Sequence, residues 1–144
     1  MEKSAGIILF REKKGQREYL LLKYIFKSKY WGFAKGNIEQ DESEQDTALR
    51  EVKEETGLEK ITLNPKFKEK ISYFLRRDGK IMYKEVIWFL GKVEDKTDGK
   101  VSTEHEELIW LPYHKALGLV TFKKDKGVLM KAEERLQKSQ IINH

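Results

Sequence analysis

Cysteine is absent from the 144-residue chain, which excludes disulfides and thiolate metal sites outright. Any metal must therefore sit on oxygen or imidazole ligands. No apolar stretch approaches the roughly 20 residues that a membrane span requires. The opening Met1-Glu2-Lys3-Ser4 lacks the features of a secretory leader. These absences lead us to expect a cytoplasmic protein with no membrane partner. Repeats, linkers and low-complexity segments are lacking too, so one domain over residues 1–144 is the economical reading. Hydrophobic residues make up 39% of the chain and charged residues 37%, which describes a modest core beneath a densely charged surface. The formal net charge of +5 suits polyanionic partners in a general way. The excess is spread along the chain and interleaved with acids, as on an ordinary solvated surface.

Apolar runs at Gly6–Phe10 and Tyr19–Ile25 read as strands joined by the polar connection 11–18. The aromatic, glycine-punctuated run 29–36 reads as a short strand turning into a loop. Ser43 to Thr56 has helical periodicity, with Asp41 or Ser43 as N-cap and Gly57 as the stop. Residues 61–75 read as a strand broken by Pro65, and Asp78-Gly79 marks a tight hairpin into a second long strand, 82–93. A short strand at 108–111, a small helix opened by Pro112 and an amphipathic helix over 127–137 complete an α+β pattern.

The chemistry concentrates between residues 36 and 58. Glu51, Glu54 and Glu55 stand at i, i+3 and i+4, so their carboxylates share one helix face. Like charges at that spacing destabilise a bare helix by roughly 0.2–0.5 kcal/mol per pair. A hard divalent cation with oxygen ligands would offset that cost. Gly36 allows a tight turn whose carbonyl can approach the same cation, and Arg50 can swing toward Glu42 to hold the loop against the helix. Taken alone, Glu-x-x-Glu-Glu also describes a solvated acidic stripe. The whole segment is more specific. Gly36, Glu42, Arg50-Glu51-Val52, Glu54-Glu55 and Gly57-Leu58 match, position for position, the signature of the Nudix hydrolases, and the chain is identified as resembling that family.

The resemblance implies a Nudix fold, an α/β/α sandwich with a mixed β-sheet, and metal-dependent hydrolysis of a nucleoside diphosphate linked to another group. It implies Mg²⁺ as cofactor, with Mn²⁺ as a substitute. It makes Glu51, Glu54 and Glu55 metal ligands, joined by the Gly36 carbonyl, and gives Glu42 and Arg50 structural roles. Bound cations would neutralise bridging phosphates and lower the pKa of a water. Phosphoryl chemistry is mostly positioning and charge stabilisation, so such a cage can suffice.

Outside the box, residues 5–11, 19–22, 30–36, 67–73 and 102–111 resemble the asymmetrical diadenosine tetraphosphate (Ap4A) hydrolases of animal and archaeal type. That resemblance implies cleavage of Ap4A to ATP and AMP by a monomer acting on a small dinucleotide. It places Tyr73 and Phe122 on either side of an adenine ring, where stacking is worth roughly 1–3 kcal/mol per base. It gives Lys35 and Lys84 to phosphate, while His105 either contacts phosphate, the favoured reading, or holds the loop. Glu104 corresponds to a loop carboxylate that assists metal binding or activates water, so Glu55 and Glu104 both stand as candidate general bases. Two departures are Ala34, where many members carry proline, and Asp41, where glycine is familiar. The same box also serves RNA 5′-pyrophosphohydrolases and (d)NTP pyrophosphatases, and RNA is a partner only on that alternative. A non-catalytic nucleotide- or RNA-binding module is opposed by the intact Glu51, Glu54 and Glu55.

Overall fold

The computed structural model describes residues 1–25 and 29–142. Its spine is a parallel pair, β1 (Glu2–Lys13) and β7 (Lys80–Val93), in register from Glu2 opposite Lys84 to Phe10 opposite Lys92. Successive side chains of a strand point to opposite faces. Ala5, Ile7 and Leu9 therefore fall on one side, Ile8 and Phe10 on the other, and all five are buried. A strand covered on both faces reads as a continuous apolar run rather than an alternation, as β1 does.

The other strands are β2 (Gln16–Tyr24), β3 (Tyr30–Gly32), β4 (Ala34–Asn37), β5 (Ile61–Leu63), β6 (Glu69–Arg77) and β8 (His105–Pro112). With β1 and β7 they form one mixed sheet, antiparallel except at the β1–β7 pair. Helix α1 (Glu44–Thr56) buries Ala48 and Val52 on one face, beside Ile7, Leu9, Leu20 and Phe89. Helices α2 (Tyr113–Leu119) and α3 (Lys123–Ile142) cover the other, with Ala116, Leu129 and Ala132 beside Tyr19, Leu21 and Trp88. The Tyr19 hydroxyl donates to Glu133 at 2.6 Å and ties α3 to the sheet. This is the expected α/β/α sandwich around a mixed sheet. No helix among the described residues is long and apolar enough to cross a membrane.

What positions the site is a divergence of β1 from β2. They pair only where Phe10–Lys13 meets Gln16–Tyr19. Beyond that, Ser4–Ile7 pairs with β4 and Leu22–Tyr24 pairs with β3. Residues 30–37 thus fill the opening, and Lys35 and Gly36 lie opposite Gly6 and Ala5. The approach at Gly6 leaves no room for a side chain. A Cβ there would press on the Ala34 carbonyl and lie 2.6 Å from Lys35 Cβ and 2.7 Å from the Trp88 ring.

Several elements differ from the sequence expectation. The run 29–36, expected to turn into a loop, supplies β3 and β4, and most of the connection expected at 11–18 is strand. The strand expected over 61–75 with a break at Pro65 is two strands on separate stretches of β7, because Asn64–Phe67 turns away and buries Phe67. The strand expected at 108–111 extends from His105 to Pro112, paired with β2 for most of its length. The last helix starts at Lys123, ahead of Gly127, and runs through that glycine to Ile142. Packing of Val128, Leu129 and Ala132 against the sheet outweighs the helix cost of one glycine, about 1 kcal/mol.

We expect Gly6→Ala to lose about 1–3 kcal/mol of unfolding free energy, the usual cost of overpacking. Denaturant titration measures it, and a variant as stable as the parent would show that residues 34–35 can yield.

Candidate active site

Helix α1 is capped at both ends by its own sequence. The Ser43 hydroxyl accepts from the Asp46 N–H at 3.0 Å, and Gly57, at φ 75°, donates to the Lys53 carbonyl. Asp41 takes φ 68°, a left-handed backbone that glycine adopts freely and aspartate tolerates. The departure from glycine is therefore compatible with the turn. Ala34 sits in regular β4 pairing opposite Ile7, so strand hydrogen bonds hold the segment ahead of Gly36 without proline.

Ala48, Val52 and Glu55 follow one another at helical spacing on the buried side of α1, and Glu55 is only 4% exposed. The stripe that packs the helix on the sheet thus ends in a carboxylate. Glu55 receives the Lys35 backbone N–H, but its Oε2 has no hydrogen-bond partner among the described residues. Burial, reinforced by the Glu51 charge, pushes its carboxyl up to about 9. Glu51 is partly buried, and burial raises its proton affinity against the pull of Arg50. A Cβ on Gly36 would collide with the Glu51 carboxylate. Glycine is required there because the helix side chain lies against the strand backbone. Glu54 is the exposed member of the three.

Arg50 organises this face. Its Nε donates to Glu42 at 2.6 Å, Nη1 to Glu51 at 2.8 Å and to Glu54 at 3.2 Å, and Nη2 to the Asn37 carbonyl at 3.2 Å. Glu42 also accepts from the Glu39 N–H and the Thr47 hydroxyl. These bonds, the Arg50 pair first, hold its carboxyl at about 2.

A cleft of about 870 Å³ opens over the carboxylates, with Gly36, Glu51, Glu54 and Glu55 on one side, Glu104 on the loop before β8, and Lys35, Arg77 and Lys84 among its lining. Lys35 and Tyr30 also line an adjoining chamber of about 410 Å³, together with Tyr73, Phe122 and Asp125. Phe122 is 48% exposed, and its ring centre lies 4.9 Å from that of Tyr30. Tyr73 and Phe122, 49 residues apart in the chain, therefore share one cavity, and Lys35 and Lys84 share the other. His105 is the exception. Its side chain has no exposed surface; Nδ1 lies 2.8 Å from the Ser102 hydroxyl and Nε2 3.6 Å from Glu55 Oε2. The expected phosphate contact is not available to it in this arrangement, because β8 folds the ring inward beneath Glu55, where burial favours the neutral imidazole.

Tyr30, Arg77 and Asp125 also line these cavities and were missed in the sequence. Tyr30 had a signal in its aromatic run, and Arg77 in its place beside the Asp-Gly hairpin. Asp125, among lysines, had none.

A model of the NUDIX domain matches residues 2–132. The chain belongs to the Nudix family. It is 31% identical over 143 residues to an asymmetrical bis(5′-nucleosyl)-tetraphosphatase of Mus musculus, covering 93% of this chain and 95% of that protein. The same figures hold for the Sus scrofa protein of that name. The crystal structure of a C. elegans Ap4A hydrolase binary complex matches with a TM-score of 0.85 at 28% identity, covering 96% of this chain and 99% of the other.

Nudix hydrolases generally need a divalent cation. Among the described residues, no three acidic or imidazole side chains converge as a metal cluster, since Arg50 engages Glu51 and Glu54. The donor set nonetheless fits a hard cation. It is all oxygen, and Glu55 Oε2 is buried without a partner beside a second carboxylate.

The Glu42–Arg50 clamp has a pH signature. Glu42's proton affinity is lower folded than unfolded, so its contribution is complete above its ordinary value of 4.5 and is lost as pH falls through about 2. Comparing the parent with Glu42→Gln by denaturation across pH, we expect a constant stability difference near neutrality that vanishes by about pH 2.

Proposed function

We propose that this Nudix chain hydrolyses bis(5′-nucleosyl) tetraphosphates asymmetrically, converting Ap4A to ATP and AMP. The observation that carries this reading is the joining of an aromatic chamber to a carboxylate-lined cleft through Lys35 and Tyr30. A flat purine suits the chamber, and a chain of phosphates suits the cleft. Tyr73 and Phe122 bind the base by stacking. Lys35, Lys84 and Arg77 draw the phosphate oxygens along one wall, as lysine and arginine do for phosphate generally.

Glu51, Glu54 and Glu55, with the Gly36 carbonyl, are the groups that would hold Mg²⁺, or Mn²⁺ as a substitute. Bound there, the cation supplies charge neutralisation at the phosphates and a more acidic water. The chain's own groups set the geometry. Arg50 and Glu42 fix the loop that carries Gly36, and Lys35 N–H orients the Glu55 carboxylate. Glu104 is exposed in the cleft, where an attacking water has access, whereas Glu55 is enclosed. We therefore assign proton acceptance to Glu104 and charge holding to Glu55. His105 supports Glu55 from beneath. The same reading makes the protein a cytoplasmic, monomeric enzyme of one domain, residues 1–144, acting on a small dinucleotide.

Chromatography after incubation of Ap4A with Mg²⁺ should show ATP and AMP in equal amounts. Two ADP would contradict asymmetric cleavage, and absence of turnover would remove the substrate. Glu104→Gln should lower kcat by roughly 10²–10⁴-fold, the usual worth of a general base, with KM little changed. Glu55→Gln should also abolish most turnover; a variant as fast as the parent would remove that residue from the catalytic set.

A further inference from the structure

One acid in the cleft stands on its phosphate wall rather than among the helix carboxylates. Glu2 lies opposite Lys84 on the β1–β7 pair, and Lys84 lies opposite Tyr73 on the β7–β6 pair. Residues directly opposite in a sheet project to the same face, so carboxylate, ammonium and phenol form one row. Glu2, Arg77 and Lys84 all line the cleft, as Lys35 does. The Glu2 carboxylate accepts from Arg77 Nη1 at 2.9 Å and lies 3.9 Å from Lys84 Nζ. Among the described residues it is the one acid paired with either cation. The side chains of Glu2 and Lys84 are 17% and 14% exposed, so their interaction is screened less than a surface pair would be. Burial, then the charges of Lys35 and Arg77, work against the Lys84 ammonium, and Glu2 works for it. Three cations crowded on one wall repel one another, and Glu2 offsets that repulsion.

A carboxylate and a phosphate offer the same kind of acceptor oxygen to a guanidinium or an ammonium. Phosphate that reaches Arg77 must therefore displace Glu2 or lie beside it, where like charges at contact distance repel. The geometry points to Glu2 as a resident counter-ion that competes with phosphate for Arg77 and Lys84, and so limits how tightly the cleft holds a phosphate chain. This rests on the reading of Arg77 and Lys84 as phosphate-binding groups, proposed above, and adds the residue that restrains their grip. A restrained grip suits turnover, since both proposed products carry phosphate that must leave the cleft. A strut that merely held Arg77 in place would act with the opposite sign, because its removal would loosen the cation and weaken binding.

Calorimetric titration of ATP and of adenosine into the parent and Glu2→Gln, with Mg²⁺ present, tests this without turnover of Ap4A. Glu2→Gln should bind ATP roughly three- to tenfold more tightly, the worth of removing one partly screened like charge. Adenosine, which has no phosphate, should bind both proteins alike. In an Arg77→Gln background the gain for ATP should shrink, because the contested cation is gone. Unchanged or weaker ATP binding by Glu2→Gln would overturn the inference. So would an equal gain for adenosine, an undiminished gain in the Arg77→Gln background, or binding of ATP by neither protein. Should Glu2→Gln fail to fold, Glu2→Asp, whose shorter side chain draws the carboxylate back from Arg77, decides by the same signs. Absence of Ap4A hydrolysis with tighter ATP binding in the variant would remove the reaction and leave Glu2 standing. Hydrolysis intact with unchanged ATP binding would remove Glu2 alone.

Discussion

Glu55 sits where a helix normally places a leucine. Ala48, Val52 and Glu55 form one stripe against the sheet, and the last of them carries a carboxylate 4% exposed. Burying that group beside Glu51 is unfavourable, and the rest of the site is arranged around the cost. The Lys35 N–H reaches its carboxylate from β4, and His105 lies 3.6 Å below it. Arg50 draws Glu51 and Glu54 to itself and anchors both to the loop through Glu42. A helix of glutamates is thus kept folded by one arginine and one strand.

That strand is present because β1 and β2 part company after a few residues of pairing. Had they stayed paired throughout, residues 34–37 would have no place in the sheet. The divergence inserts Lys35 and Gly36 between the carboxylates on one side and the aromatic chamber on the other. Gly6 and Gly36 are needed at this crossing because strand and helix side chains come too close for a Cβ. Fold and chemistry meet at the same few residues.

Different parts of the site were legible in the sequence to different degrees. The helix from Glu44 to Thr56, its Ser43 cap and its Gly57 stop follow from local rules, since caps and glycine conformations act over a few residues. The Arg50–Glu42 contact was also legible, being short in sequence. The break expected at Pro65 is present in 61–75, but periodicity does not say which stretch of a partner each half will pair with. Of the two roles the sequence leaves to His105, contact with phosphate and holding the loop, the structure fits the second: pairing of β8 with β2 turns the ring into the interior, against the Ser102 hydroxyl.

The sequence by itself determined the carboxylate helix, the exclusion of thiolate from any metal site and an α+β pattern, and the resemblance to the Nudix signature implied the sandwich of helices about a mixed sheet. Each depends on composition, on spacing within one segment or on the hydrophobic pattern. Only the tertiary structure decided what surrounds that helix. It brought Tyr73 from β6 and Phe122 from just before α3 into one chamber, set Arg77 and Lys84 along the cleft, and placed Asp125 in the chamber's lining. The resemblance names Tyr73, Phe122 and Lys84, but no local rule acts between segments so far apart in the chain. Their meeting depends on where the sheet divides and where α3 docks, which is a matter of packing between distant parts of the molecule.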